Sequence, residues 1–243
     1  VANKVTPAQK SRAPFFLLLL VIVVAGASGI FYKVSTSRQK PIVLAPGAVL
    51  PVSEGYLRGK ADAPVSIAEF GDFECPLCGS FANITEPDVR TRIADAGLAS
   101  FRFYDFPLPM HANALSAHLA AACADHQGKF WEMHDAIFQG QTEWNGQATM
   151  NPRKVLQGYV KTLGLDEAAW NACFDSQTDV ARIEAHKKKG QDLGVNSTPT
   201  FIIDGVMYAQ TFTYDELKKL VDSLTVAKAA AKAAVPPPAP AKP

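Results

Sequence analysis

The chain has 243 residues, 24 Lys and Arg against 23 Asp and Glu, a net charge of +1 and 48% apolar residues. That is enough chain to bury a core in one domain with appendages. Near neutrality and the lack of a basic stripe exclude nucleic acid as an evident partner, because the densest positive run, HKKKG at 186–190, reads as a solvated helix face.

Residues 1–12 are a short N-terminal tail, and residues 13–32, APFFLLLLVIVVAGASGIFY, carry no charge. At 1.5 Å per residue, about twenty residues match a hydrocarbon core of roughly 30 Å. The run therefore reads as a single transmembrane helix or signal anchor. Lys4, Lys10 and Arg12 precede it and Lys33, Arg38 and Lys40 follow it, so positive charge barely decides the orientation. The alternative is a signal peptide with its apolar region at 15–24 and cleavage near Ala27. Ile30, Phe31 and Tyr32 continue the apolar run past that point and favour a retained anchor. Either reading sends the next domain out of the cytoplasm, to the periplasm or cell exterior, where disulfides persist.

Residues 33–54 have three prolines and no sustained period, so they read as a linker. The folded domain is expected over 55–226. APVSIAEF at 63–70 is a β-rich apolar run and predicts a buried strand. CPLCGSFANITEPDVRTRI opens a helix with proline in its first turn, where the missing N–H costs nothing. Pro87 is expected to kink or interrupt that helix. LASFRFYDF at 98–106 alternates like a second strand. Helices are expected at 112–127, 129–139, 152–164, 166–176 and 179–194, each with a start or stop signal. Phe130, Trp131 and Phe138 read as core of this block, and His111, His118 and His126 as structural or surface groups. TPTFIIDGVMYAQ reads as strand, Asp204-Gly205 turn, strand. An amphipathic helix at 213–227 follows, with Thr213 and Glu216 as a capping box. Residues 227–243 form an Ala/Lys/Pro-rich tail whose first part can extend the helix and whose proline end reads as disordered. The order predicts an α/β chain, one mixed sheet with helices on its faces, carrying a helical insert at about 111–194.

Four cysteines are present, and Cys75 and Cys78 lie two residues apart in AEFGDFECPLCGSF. Such a pair can hold zinc, carry a redox-active disulfide or be two inert buried thiols. No second CxxC and no HxxxH stands at ligand spacing, so no metal is assigned. A sulfur at the start of a helix meets unpaired backbone N–H groups and the positive end of the helix dipole, and both favour a thiolate. Cys78 lies one turn further along the same face, within reach of a disulfide.

EFGDFECPLC, FPLPMHANA, CADHQGKFWEMHDAIF and STPTFIIDG, in this order, resemble the DsbA-like branch of the thioredoxin superfamily. The resemblance covers roughly residues 55–225. It implies a thioredoxin-like fold with an inserted helical domain and a thiol–disulfide oxidoreductase working outside the cytoplasm without a cofactor. The Cys75-Pro76-Leu77-Cys78 pair is then the redox centre. Pro199 is similar to the family's cis-proline, which lies against the CxxC and keeps the Thr198 backbone free for a passing chain. Glu69 matches an acid that the family keeps buried beneath the site, although its apolar neighbours do not fix which face of the strand it takes. Cys123 and Cys173 are either a structural bridge, as even parity in an oxidising compartment favours, or two separate buried thiols. The partners implied are reduced exported proteins and a quinone-linked membrane thiol oxidase, with a monomer expected. Two other readings stand beside this one: a reductase or isomerase kept reduced, and a non-catalytic copper-binding thiol protein for which Met110-His111 is the hint.

Overall fold

A computed structural model describes residues 13–36, 40–45 and 55–234. The tail at 1–12, most of the linker at 33–54 and the proline end at 235–243 lie outside the described residues. Two compact units are present, 1–40 and 41–243.

The first unit contains helix α1, Ala13–Thr36, whose side chains are described over 16–28 and are exposed. Among the described residues no helix is long and apolar enough to cross a membrane. The transmembrane expectation at 13–32 is thus met by a helix but not by a demonstrated span.

The second unit is built on a mixed sheet, six-stranded among the described residues, in the order β1-β6-β5-β3-β4-β2. The strands are β1 Ile42–Val43, β2 Tyr56–Arg58, β3 Val65–Gly71, β4 Ala99–Asp105, β5 Thr200–Ile203 and β6 Val206–Tyr208. β3 runs parallel to β4 and antiparallel to β5. Side chains alternate between faces along β3. Val65 and Ile67 pack with Phe81, Ile93, Phe101 and Phe201 on one face, and Ala68 and Phe70 pack with Tyr104, Phe106 and Ile202 on the other. Both faces are covered, which is why β3 reads as a continuous apolar run and not as an alternating one. The β5–β6 hairpin turns at Asp204 and Gly205, with φ of 48° and 81°. Two successive positive φ values are what the right-handed twist of a two-residue hairpin demands.

Two edge strands depart from the sequence expectation. β1 lies within the stretch read as linker and pairs with β6 through Ile42 and Met207. β2 was not anticipated and pairs antiparallel with β4. Two and three residues are too short to display a period, and their pairing partners are distant in sequence.

The helix opening at Cys75 is interrupted as Pro87 requires. α2 spans Pro76–Ile84 and α3 spans Glu86–Val89, followed by a π-helical turn at Arg90–Ala94. The insert contains α4 Ala114–Asp125, α5 Phe130–Gln139, α6 Gln141–Trp144, α7 Arg153–Thr162, α8 Glu167–Ser176 and α9 Val180–Asp192. Phe130, Phe138, Trp144 and Trp170 fill its core, and Trp131 is partly buried with its indole N–H donating to the Leu57 carbonyl at 3.1 Å. A disulfide joins Cys123 of α4 to Cys173 of α8, with Cα atoms 5.8 Å apart. α10, Tyr214–Ala234, closes the chain and takes in the Ala/Lys stretch. At its start the Thr213 N–H donates to Glu216 Oε2 at 2.9 Å and the Glu216 N–H donates to Thr213 Oγ1 at 3.3 Å.

Candidate active site

β3 ends at Gly71 and the chain turns into α2, so Cys75 becomes the N-cap residue with Pro76 in the first helical turn. Asp72 shapes the turn. Its backbone carbonyl accepts from the Cys75 N–H at 3.0 Å, and Oδ1 accepts from the Glu74 N–H at 2.8 Å. Oδ2 accepts from the Leu108 N–H at 2.7 Å and meets His111 Nδ1 at 2.7 Å. Asp72 is fully buried, and this hydrogen bond raises the His111 pKa above its ordinary value. The Glu74 carboxylate holds the insert from the other side, accepting from the backbone N–H groups of Asn113 at 2.7 Å and Gly146 at 2.5 Å. Gln141 of α6 donates from Nε2 to the carbonyls of Phe73 at 2.7 Å and Cys75 at 3.0 Å. The insert therefore grips the backbone of the cysteine turn.

The two sulfurs, both free thiols here, have opposite surroundings. Cys75 retains 6% exposure and its thiol pKa is lowered to about 6. The hydrogen bond from the Cys78 thiol is the largest cause, against the opposing effect of partial burial. Thr198 and the backbone N–H groups of Cys78 and Leu77 add to it, as expected where a helix begins. Cys78 is fully enclosed, and burial, then the Cys75 sulfur and then Glu69 push its thiol well above the usual range. One acidic, slightly exposed thiol thus stands at the helix start, and one fully enclosed thiol of raised pKa stands behind it.

Thr198-Pro199 is a cis peptide, and the Thr198 carbonyl lies 3.4 Å from Cys75 Sγ. Glu69 is 1% exposed, and neither of its oxygens has a hydrogen-bond partner. It shares the parity of Val65 and Ile67 on β3, and so the face that lies under α2. Burial, then the charges of Glu86 and Cys75, raise its carboxyl well above the ordinary range. Both faces of β3 are covered, so the residue pattern alone does not fix the face that Glu69 takes.

A family model described as thioredoxin matches residues 52–223. The chain belongs to the thioredoxin family. It is 34% identical over 191 residues to Na(+)/H(+) antiporter NhaA 1 of Salinispora arenicola, covering 72% of this chain and 28% of that protein. The first curated relatives are all much longer than the stretch matched; this chain spans between about a quarter and a third of each. Disulfide bond formation protein D of Bacillus subtilis is 25% identical over 169 residues, which is 68% of this chain and 74% of that one. Among solved structures, alpha-DsbA1 of Wolbachia pipientis superposes with a TM-score of 0.67 at 22% identity, covering 76% of this chain and 96% of that one. Oxidised BdbD of Bacillus subtilis gives 0.65 at 23% identity, covering 77% and 100%. The fold of this thioredoxin-family chain is thus DsbA-like, sheet and helical insert together.

Cys75, Cys78, Thr198, Pro199 and Glu69 come together at one end of β3, while Cys123 and Cys173 lie in the insert. Asp72, Glu74 and Gln141 were missed. An acidic residue shortly before a helix start is a legible turn signal, and Asp72 fits it. Gln141 stands 66 residues from Cys75, and no spacing rule connects the two. Among the described residues, a cluster with metal-ligating geometry is formed by Cys123, Cys173 and Asp179, but its sulfurs are bonded to each other. Met110, half of the copper hint, is 73% exposed, and His111 is turned onto Asp72.

Proposed function

We infer that this protein is a thiol–disulfide oxidoreductase that forms disulfides in exported proteins through Cys75 and Cys78. The reading is carried by the split between the two sulfurs: an acidic Cys75 at the helix start that keeps 6% exposure, against a fully enclosed Cys78 whose thiol is pushed up. A substrate thiolate attacks Cys75 of the oxidised pair and expels the Cys78 sulfur. A second substrate thiolate then attacks the substrate sulfur of the mixed disulfide and releases Cys75. Cys75 leaves as a stabilised thiolate, which favours the reduced enzyme and makes the pair an oxidant. Beside it, the Thr198 carbonyl offers an acceptor to an extended substrate backbone, as an added strand would use it. Glu69 accepts and returns the Cys78 proton.

The domain works outside the cytoplasm, attached to the membrane through residues 13–32. The uncharged run and the exposed apolar side chains at 16–24 support this. Its clients are reduced exported proteins, its reoxidant is a quinone-linked membrane thiol oxidase, and it acts as a monomer.

Equilibration with reduced and oxidised glutathione tests the direction of flux. The expected potential lies well above a glutathione poise of about −220 to −260 mV. A potential below that range would make the protein a reductase and overturn the oxidase reading.

A further inference from the structure

The exchange reaction above needs Cys75 to leave as a thiolate, and this inference deepens that reading by naming a residue that favours the thiolate. In the turn before Cys75 stands a carboxylate with no exposed surface, that of Asp72. Asp72 holds the turn together. Its main-chain carbonyl accepts from the Cys75 N–H at 3.0 Å, its Oδ1 accepts from the Glu74 N–H at 2.8 Å, and its Oδ2 accepts from the Leu108 N–H at 2.7 Å. A negative charge so placed works against the chemistry, because a carboxylate near a thiol disfavours the thiolate. A buried charge also costs free energy unless it is paired.

His111 can pair it. Its Nδ1 lies 2.7 Å from Asp72 Oδ2, on the oxygen that also accepts from Leu108. The loop that carries His111 is folded to bring it there. The Phe106 N–H donates to the Gly71 carbonyl at 2.8 Å, and the His111 N–H donates to the Leu108 carbonyl at 3.1 Å. The His111 side chain keeps 20% exposure, so its ring exchanges protons with water. Glu74 and Leu108 offer the carboxylate neutral backbone donors, whereas an imidazolium balances its charge. The charges of Asp72, Glu74 and Cys75 act on His111, and all three favour the protonated ring. Such coupling is reciprocal: what the thiolate does for the imidazolium, the imidazolium does for the thiolate.

We propose that His111 is a positioning residue of the redox centre: as an imidazolium hydrogen-bonded to Asp72, it neutralises the buried carboxylate in the cysteine turn and favours the Cys75 thiolate. A purely structural latch needs only a donor at this point, because a neutral N–H ties the loop to the turn equally well. A charge-balancing group must carry the proton. The imidazolium is present below the raised His111 midpoint and is lost as pH rises through it. Oxidation of the pair removes the thiolate and so lowers that midpoint.

His111→Asn tests this, since it keeps an amide donor near the place of Nδ1 and removes the charge. In the full chain carrying it, the pH midpoint of Cys75 alkylation by iodoacetamide is expected to rise by about 0.5–1. The potential of the pair, equilibrated with glutathione, is expected to fall below the parent's. In the parent, NMR titration of the His111 ring is expected to give a midpoint above 6.5 in the reduced protein and a lower one in the oxidised protein. An unchanged Cys75 midpoint in His111→Asn overturns the proposal. So does a His111 midpoint that is the same in both redox states. If the variant fails to fold, the parent titration decides alone. A parent Cys75 that alkylates like a free thiol refutes the exchange reading itself, whereas an acidic parent Cys75 with the same midpoint in His111→Asn refutes only the part given to His111.

Discussion

The two cysteine pairs of this chain share an element and differ in everything around it. Cys75 and Cys78 begin one helix, where hydrogen bonds hold one sulfur as a thiolate and burial holds the other as a thiol. Cys123 and Cys173 sit on separate helices of the insert, 50 residues apart, and are bonded. Bridging a loop of that length restricts the unfolded chain by about 4 kcal/mol, whereas a CxxC loop yields about half as much. Asp179 Oδ2 lies 3.5 Å from Cys173 Sγ. One setting thus rewards reduction and the other rewards the bond.

Breaking each pair tests that contrast most directly. Cys75→Ser is expected to lower oxidation of a reduced two-cysteine peptide to the buffer rate. In the parent, alkylation by iodoacetamide is expected to rise with pH to a midpoint near about 6. A midpoint near that of a free thiol would end the account of the helix start. Cys123→Ala combined with Cys173→Ala is expected to cost about 2–4 kcal/mol in denaturant unfolding, with the Cys75 midpoint unmoved. A shifted midpoint would mean that the two pairs are not independent.

Smaller changes sharpen the picture. The raised carboxyl of Glu69 means that its proton-linked stability is fully present below the ordinary value of 4.5 and is lost as pH rises toward the raised one. Glu69→Gln is therefore expected to be more stable than the parent by about 1–3 kcal/mol at pH 8, with the gap closing below pH 4.5; thermal unfolding across pH reads this out. Gln141→Leu removes two donations to the cysteine turn and is expected to cost about 1–2 kcal/mol. It should also loosen amide protection at residues 73–79, measurable by hydrogen exchange, and unchanged exchange would remove Gln141 from the site.

The locally encoded parts were legible in the residues alone. β3 and β4 follow from apolar runs, the break near Pro87 from a missing N–H and a ring clash, the Asp204-Gly205 turn from backbone sterics, and the acid-favouring position of Cys75 from a helix start. Each depends on neighbours within a few residues, so composition and spacing carry it. Tertiary structure alone decided what depends on distant chain segments: the edge strands β1 and β2, the face taken by Glu69, the grip of Gln141 on the Cys75 carbonyl, and the meeting of His111 with the buried Asp72 carboxylate. Burial and long-range pairing are properties of the packed sheet and insert together, and no local pattern records which groups will share an enclosure or how far a carboxyl will be driven from its usual pKa.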